Sequence, residues 1–98
     1  MEKHTPHCKL ERIRSLIAQG SLRKTASAVL GAAALGISER DMLDTLMSLG
    51  PRDFYKSMTT HADHQVWQDV YLPVTRFGVL YIKLTVVDDV LVVSFKEK

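Results

Sequence analysis

Between residues 79 and 96 the chain reads VLYIKLTVVDDVLVVSFK, two β-branched runs (79–87 and 90–96) broken only by Asp88-Asp89. Branched and aromatic side chains suit a pleated, half-buried surface, so this pattern predicts a β-hairpin. Asp-Asp turns a hairpin less readily than Asn-Gly, but the flanking alternation outweighs the weak turn. With Asp88 and Asp89 as the loop, Val87 faces Val90. Leu84 then opposes Val93, Ile82 opposes Phe95 and Val86 opposes Leu91, giving one wholly apolar face. On the other face Thr85 meets Val92, Lys83 meets Ser94 and Tyr81 meets Lys96. Opposed residues carry their Cβ atoms about 5 Å apart. Alternation alone therefore sets a phenol beside an ammonium on the uncovered face. A slip of one residue would bury half of the polar set.

Helices must cover the apolar face, and the first half of the chain supplies them. Thr5-Pro6 predicts a helix start, since Thr can cap and Pro fits the first turn. Leu10, Ile13, Leu16 and Ile17 form a buried stripe, while Lys9, Glu11, Arg12 and Arg14 fall on a solvated face up to a stop at Gly20. An alanine-rich helix is expected over about 24–30, with a ragged continuation past Gly31 and an end at Gly36. Arg23 and Lys24 would sit at its start, where the helix dipole favours anions. Ser38-Glu39-Arg40-Asp41 forms a capping box with Asp in the last place, opening a third helix whose apolar face is Met42, Leu43, Leu46 and Leu49. After Gly50-Pro51 the pattern turns to strands, over 54–60 and 66–72, around a polar loop holding His61, Asp63 and His64. Arg76-Phe77-Gly78 connects to the hairpin. The expected class is α+β: three helices on one face of a small antiparallel sheet.

At 98 residues the chain holds one domain with a single modest core. Its net charge of +2 is unevenly spread, with seven Lys/Arg against five Asp/Glu in residues 1–50 and six against six in 51–98. That excludes a protein that coats DNA by bulk charge but leaves room for a local basic cleft. The lone Cys8 fits a reducing compartment, no apolar run is long enough to span a bilayer, and the N-terminus lacks a signal-peptide layout. A cytoplasmic protein is expected. His61 and His64 make an H-x-x-H pair, and His4, His7 and Cys8 lie close in sequence. Neither group offers three ligands at zinc spacing, so no metal or other cofactor is expected.

The second half of the chain gathers cations, phenols and amides on a small sheet, a set suited to gripping a phosphodiester. Were that phosphodiester an RNA cut without a metal, the 2′-OH would have to lose a proton, the phosphorane to be stabilised and the 5′-oxygen to be protonated. Lys56 and Lys96 suit the developing negative charge. Tyr81 can exchange a proton or bond a phosphate oxygen, and Gln68 can donate to phosphate or read a base edge. Tyr55, His64, Lys83 and Arg23 are candidate RNA contacts. Trp67 and Tyr71 could also stack on bases, although Trp67 is better suited to the core.

The strings DFYKSMTTHADHQVWQDVY, YIKLTVVDDVLVVSFKEK and the opening MEKHTPH closely resemble the MqsR (motility quorum-sensing regulator) family of mRNA interferase toxins. The resemblance runs from the first residue to the last. It implies a RelE/YoeB-like toxin fold and a metal-independent endoribonuclease that cuts mRNA at GC-containing sites such as GCU. It also implies a cognate antitoxin of the MqsA type, zinc-binding in one domain and DNA-binding through a helix-turn-helix in the other. No direct DNA binding is implied for the toxin alone, and no membrane role. By resemblance the functional residues are Lys56 in KSMTT, Gln68 after the tryptophan, Tyr81 in the hairpin and Lys96 in the terminal motif. Two readings from other classes compete: a non-catalytic RNA- or protein-binding module on the same face, and a metal-dependent hydrolase built on the histidines.

Overall fold

A computed structural model describes residues 1–98 as three helices packed on a seven-stranded sheet. The strands are β1 (Glu2–Lys3), β2 (Leu22–Lys24), β3 (Phe54–Thr59), β4 (Trp67–Tyr71), β5 (Val74–Thr75), β6 (Gly78–Val86) and β7 (Val90–Glu97). The helices are α1 (Leu10–Ala18), α2 (Ala26–Ala34) and α3 (Glu39–Met47), followed by a single 3-10 turn, Pro51–Asp53. The sheet runs β1-β3-β4-β6-β7-β2, with β5 appended to β6. The α+β class is as expected, but the sheet is mixed. Strand β2 lies parallel to β7, with Leu22 beside Val90 and Arg23 beside Leu91. Strands β1 and β2 are two and three residues long, too short to leave an alternating pattern in sequence.

The hairpin corrects the expected register near its turn. From Tyr81 to Lys83 the pairing is as expected: Tyr81 with Lys96, Ile82 with Phe95, Lys83 with Ser94. Beyond Lys83 it shifts, so Leu84 faces Val92, Thr85 faces Leu91 and Val86 faces Val90. The loop therefore has three residues, 87–89, and the Val87 N–H donates to the Asp89 carbonyl at 3.2 Å. A longer loop relieves the poor Asp-Asp turn, and the odd residue is taken up as a bulge at Val93. That bulge switches the alternation. Val90, Val92 and Phe95 all reach the core and are fully buried, whereas the unbroken pattern would have left Val92 on the open face.

Helix α1 starts at Leu10, not at Thr5-Pro6. The residues before it are held instead by Asp69. The backbone N–H groups of His7 and Cys8 each donate to its carboxylate at 3.0 Å, and the Ser57 hydroxyl donates at 2.6 Å. Asp69 is 3% exposed, and a carboxylate so deeply buried requires partners of this kind. Ile13, Leu16 and Ile17 are buried as expected. Arg12 and Arg14 are not merely solvated: Arg12 donates to the Val87 carbonyl at 2.8 Å, and Arg14 donates to the carbonyls of Met47 and Leu49. The latter two lie at the end of α3, where carbonyls lack intrahelical partners.

Helix α2 runs straight through Gly31 and is capped by Thr25, which accepts from the Ala28 N–H at 3.1 Å. The same hydroxyl donates to the carbonyl of the bulged Val93 at 2.9 Å. Arg23 and Lys24, expected at the helix start, lie in β2 instead. Gly31 is needed for close approach rather than for a break, because a Cβ there would stand 2.3 Å from the Phe95 carbonyl oxygen. Helix propensity alone favours Ala over Gly by about 1 kcal/mol. Here Gly31→Ala is expected to destabilise by about 1–3 kcal/mol, the usual cost of overpacking, in a denaturant titration. A stabilised variant would contradict the contact.

The capping box of α3 is present, with Asp41 N–H donating to Ser38 Oγ at 3.1 Å and Ser38 N–H to the Asp41 carboxylate at 3.4 Å. Met42, Leu46 and Leu49 are buried, but Leu43, placed on the apolar face by sequence, is 37% exposed. It lies about 100° around the helix from Met42, outside the stripe that 42, 46 and 49 define. No helix is long and apolar enough to cross a membrane.

Candidate active site

Directly opposed residues in neighbouring antiparallel strands share a face of the sheet. Register therefore assembles a row of Lys56, Val70, Lys83 and Ser94 across β3, β4, β6 and β7. The pair Tyr81–Lys96 lies on one side of that row. On the other side lie Met58 and Gln68, and the Gln68 amide donates to the Thr85 hydroxyl at 3.3 Å. The helices occupy the opposite face, over Tyr71, Ile82, Leu84 and Phe95. Val70 is fully buried although it belongs to the helix-free face. Its cross-strand neighbours are Lys56 and Lys83, whose long aliphatic stems are suited to covering apolar surface.

The three lysines sit in different electrostatic settings. Lys56 Nζ lies 2.9 Å from Glu2 Oε1 on β1 and 5.3 Å from the centre of the Tyr55 ring. Its hydrogen bond to Glu2 pushes the ammonium up from its ordinary value, and the same bond holds the Glu2 carboxyl below its own. Lys83 and Lys96 flank Tyr81, with Nζ atoms 5.8 and 5.4 Å from the ring centre. Lys83 is pushed down, first by burial and then by the positive charges of Lys96 and Lys56. Lys56, Gln68, Tyr81, Lys83 and Lys96, with Tyr55 beside Lys56, thus form one basic surface. Glu2 belongs to it as well, and sequence reasoning missed it. An edge strand of two residues carries no signal that would bring position 2 beside position 56.

Other candidates lie elsewhere. Arg23 is on the far edge strand β2 and is engaged by Asp89 through two hydrogen bonds. His64 is exposed in the loop between β3 and β4, a loop tied by Thr60 and Asp63. Tyr71 is fully buried on the helix side, and its hydroxyl has no hydrogen-bond partner. Trp67 faces the same side, half-buried, with its ring stacked on His7 at 5.5 Å and Lys3 Nζ 4.1 Å from its centre. Neither aromatic is placed to stack on RNA bound at the open face, whereas Tyr55 is 48% exposed there. No three His, Cys, Asp or Glu side chains converge on a point.

Residues 5–97 match the family described as motility quorum-sensing regulator, toxin of MqsA. Across all 98 residues, and the full length of both chains, it is 50% identical to the mRNA interferase toxin MqsR of Escherichia coli (strain K12). With the family match spanning nearly the whole chain and a full-length relative at that identity, the protein belongs to the motility quorum-sensing regulator family of toxins.

Proposed function

We propose that the chain is the toxin of a toxin–antitoxin pair, an mRNA interferase that cuts mRNA at GC-containing sites such as GCU without a metal ion. The observation that carries this reading is the gathering of Lys56, Lys83, Lys96, Tyr81 and Gln68 on the one sheet face that no helix covers. Lys56 and Lys96 stabilise charge on the phosphorane. Tyr81 exchanges a proton or bonds a phosphate oxygen, and Gln68 donates to phosphate or a base edge. Tyr55 offers a ring for a splayed base, as single-strand readers do, and His64 lies in the loop that flanks the site. Arg23 is left out, because Asp89 holds its guanidinium. The reaction is attack by the 2′-OH, leaving a 2′,3′-cyclic phosphate and a 5′-OH. The toxin acts in the cytoplasm and is neutralised by an MqsA-type antitoxin, which carries its own zinc and its own helix-turn-helix for DNA.

The test is to incubate purified chain with a defined RNA in EDTA and map the ends by primer extension. Discrete cuts at GC-containing triplets with 5′-hydroxyl termini are expected. Termini carrying 3′-hydroxyls would refute the chemistry. Intact RNA that is nevertheless bound in a salt-sensitive manner would favour a non-catalytic binding module. Because Glu2 competes with phosphate for Lys56, Glu2→Gln is expected to tighten RNA binding, measured by titration at fixed ionic strength.

A further inference from the structure

We propose that Lys83 is the general acid of this reaction, donating its Nζ proton to the departing 5′-oxygen. The proposal rests on the ribonuclease reading above. Three lysines share the open face, and their surroundings divide the work among them. Lys56 stands toward one edge with a carboxylate at 2.9 Å, an arrangement that keeps its proton in place and its charge permanent. Lys96 projects from β7 and is exposed, with its Nζ 5.4 Å from the centre of the Tyr81 ring. Lys83 lies on central strand β6, half-buried, with its stem beside the buried Val70 and no carboxylate within ion-pair distance.

The groups facing Lys83 are all cationic or neutral. From β3 come Lys56 and Tyr55, from β4 Val70 and Gln68, from β6 Tyr81, and from β7 Ser94 and Lys96. Glu2 on β1 is engaged by Lys56. Partial dehydration and two neighbouring ammoniums press the proton outward, which is the direction of the shift at this group. A proton donor is most effective when it is still protonated at working pH yet releases easily. A phosphodiester gripped by Lys56 and Lys96 brings its scissile linkage over the residue between them. The O2′–P bond forms as the 2′-OH proton passes to water, the P–O5′ bond breaks, and O5′ takes the Lys83 proton. The neutral amine then regains a proton from water.

The test compares an ordinary RNA with one carrying a 5′-bridging sulfur at the cleavage site. A thiolate leaves without a proton, the thiol pKa being about 8.5 against the much higher value of an alcohol. Lys83→Ala and Lys83→Arg are both used, since Arg keeps the charge but stays protonated. Both are expected to cut the oxygen substrate about 10²–10⁴-fold more slowly in kcat, with KM little changed, and to cut the sulfur substrate at close to the wild-type rate. The alkaline fall in wild-type kcat is expected to vanish in Lys83→Arg. Equal losses on both substrates would mean a charge clamp or a structural role and overturn the proposal, as would unimpaired variants. If the wild-type chain leaves both substrates intact, it is the ribonuclease reading that fails, a result visible before any variant is made.

Discussion

Lys56→Ala is expected to lower kcat by about 10²–10³-fold, the usual effect of deleting one donor aimed at charge that develops in a transition state. Lys56 is suited to that role because Glu2 holds it charged and its stem lies beside Val70. Deletion also removes the stem, and loss of packing must be separated from loss of charge. Lys56→Met keeps an unbranched apolar side chain over Val70 and carries no ammonium. It is expected to lose as much turnover as the alanine variant while unfolding at the wild-type denaturant midpoint. A methionine variant of near wild-type activity would show that Lys56 serves the fold and not the phosphate. The measurement is single-turnover cleavage of one defined RNA in EDTA, which separates chemistry from product release.

Asp69→Ala is expected to cost about 2–5 kcal/mol of stability, because it takes the acceptor from buried backbone donors. Two donors would be stranded, the N–H groups of His7 and Cys8, and the Ser57 hydroxyl would keep only the Gln68 carbonyl at 3.4 Å. Each buried donor left without a partner costs about 1–3 kcal/mol. Against a total stability of about 5–15 kcal/mol this is a large fraction, readable by urea titration. The loss also bears on the active face. His7 and Cys8 anchor the segment that follows β1, and β1 carries Glu2 to Lys56. In conditions where the variant still folds, the N-terminal strand should exchange its amide hydrogens faster than β3, with Lys56 deprived of its partner. An Asp69→Ala chain within about 1 kcal/mol of wild type would mean that the pocket admits water freely.

The site was legible in sequence where it depends on alternation. Tyr81 beside Lys96 and Lys83 beside Ser94 follow from period two alone, and both pairs hold because they lie before the bulge. Val93 is the bulge and Val92 lies beyond it, so Val92 turns to the core instead of the open face. The signal for that failure was present in the weak Asp-Asp turn, but not its resolution: a three-residue loop and an unpaired Val93 stabilised by Thr25 from another element. Gly31 shows the same limit in a helix. Its effect on propensity is local, whereas its purpose is a close approach to a carbonyl of Phe95, 64 positions later by the numbering of the chain.

The amino-acid sequence by itself determined the α+β class, the helix stops and the α3 cap, and that Tyr81, Lys83 and Lys96 share the open face. These follow from periodicity and capping chemistry, interactions between residues close along the chain. Only the tertiary structure decided that β2 runs parallel to β7, that Glu2 grips Lys56, that Asp69 holds the N-terminal segment, and that Arg12 and Arg14 serve backbone carbonyls. Each of these joins groups far apart in sequence through single hydrogen bonds or ion pairs. Such contacts depend on where packing brings two backbones together, and they leave no periodic trace in either segment.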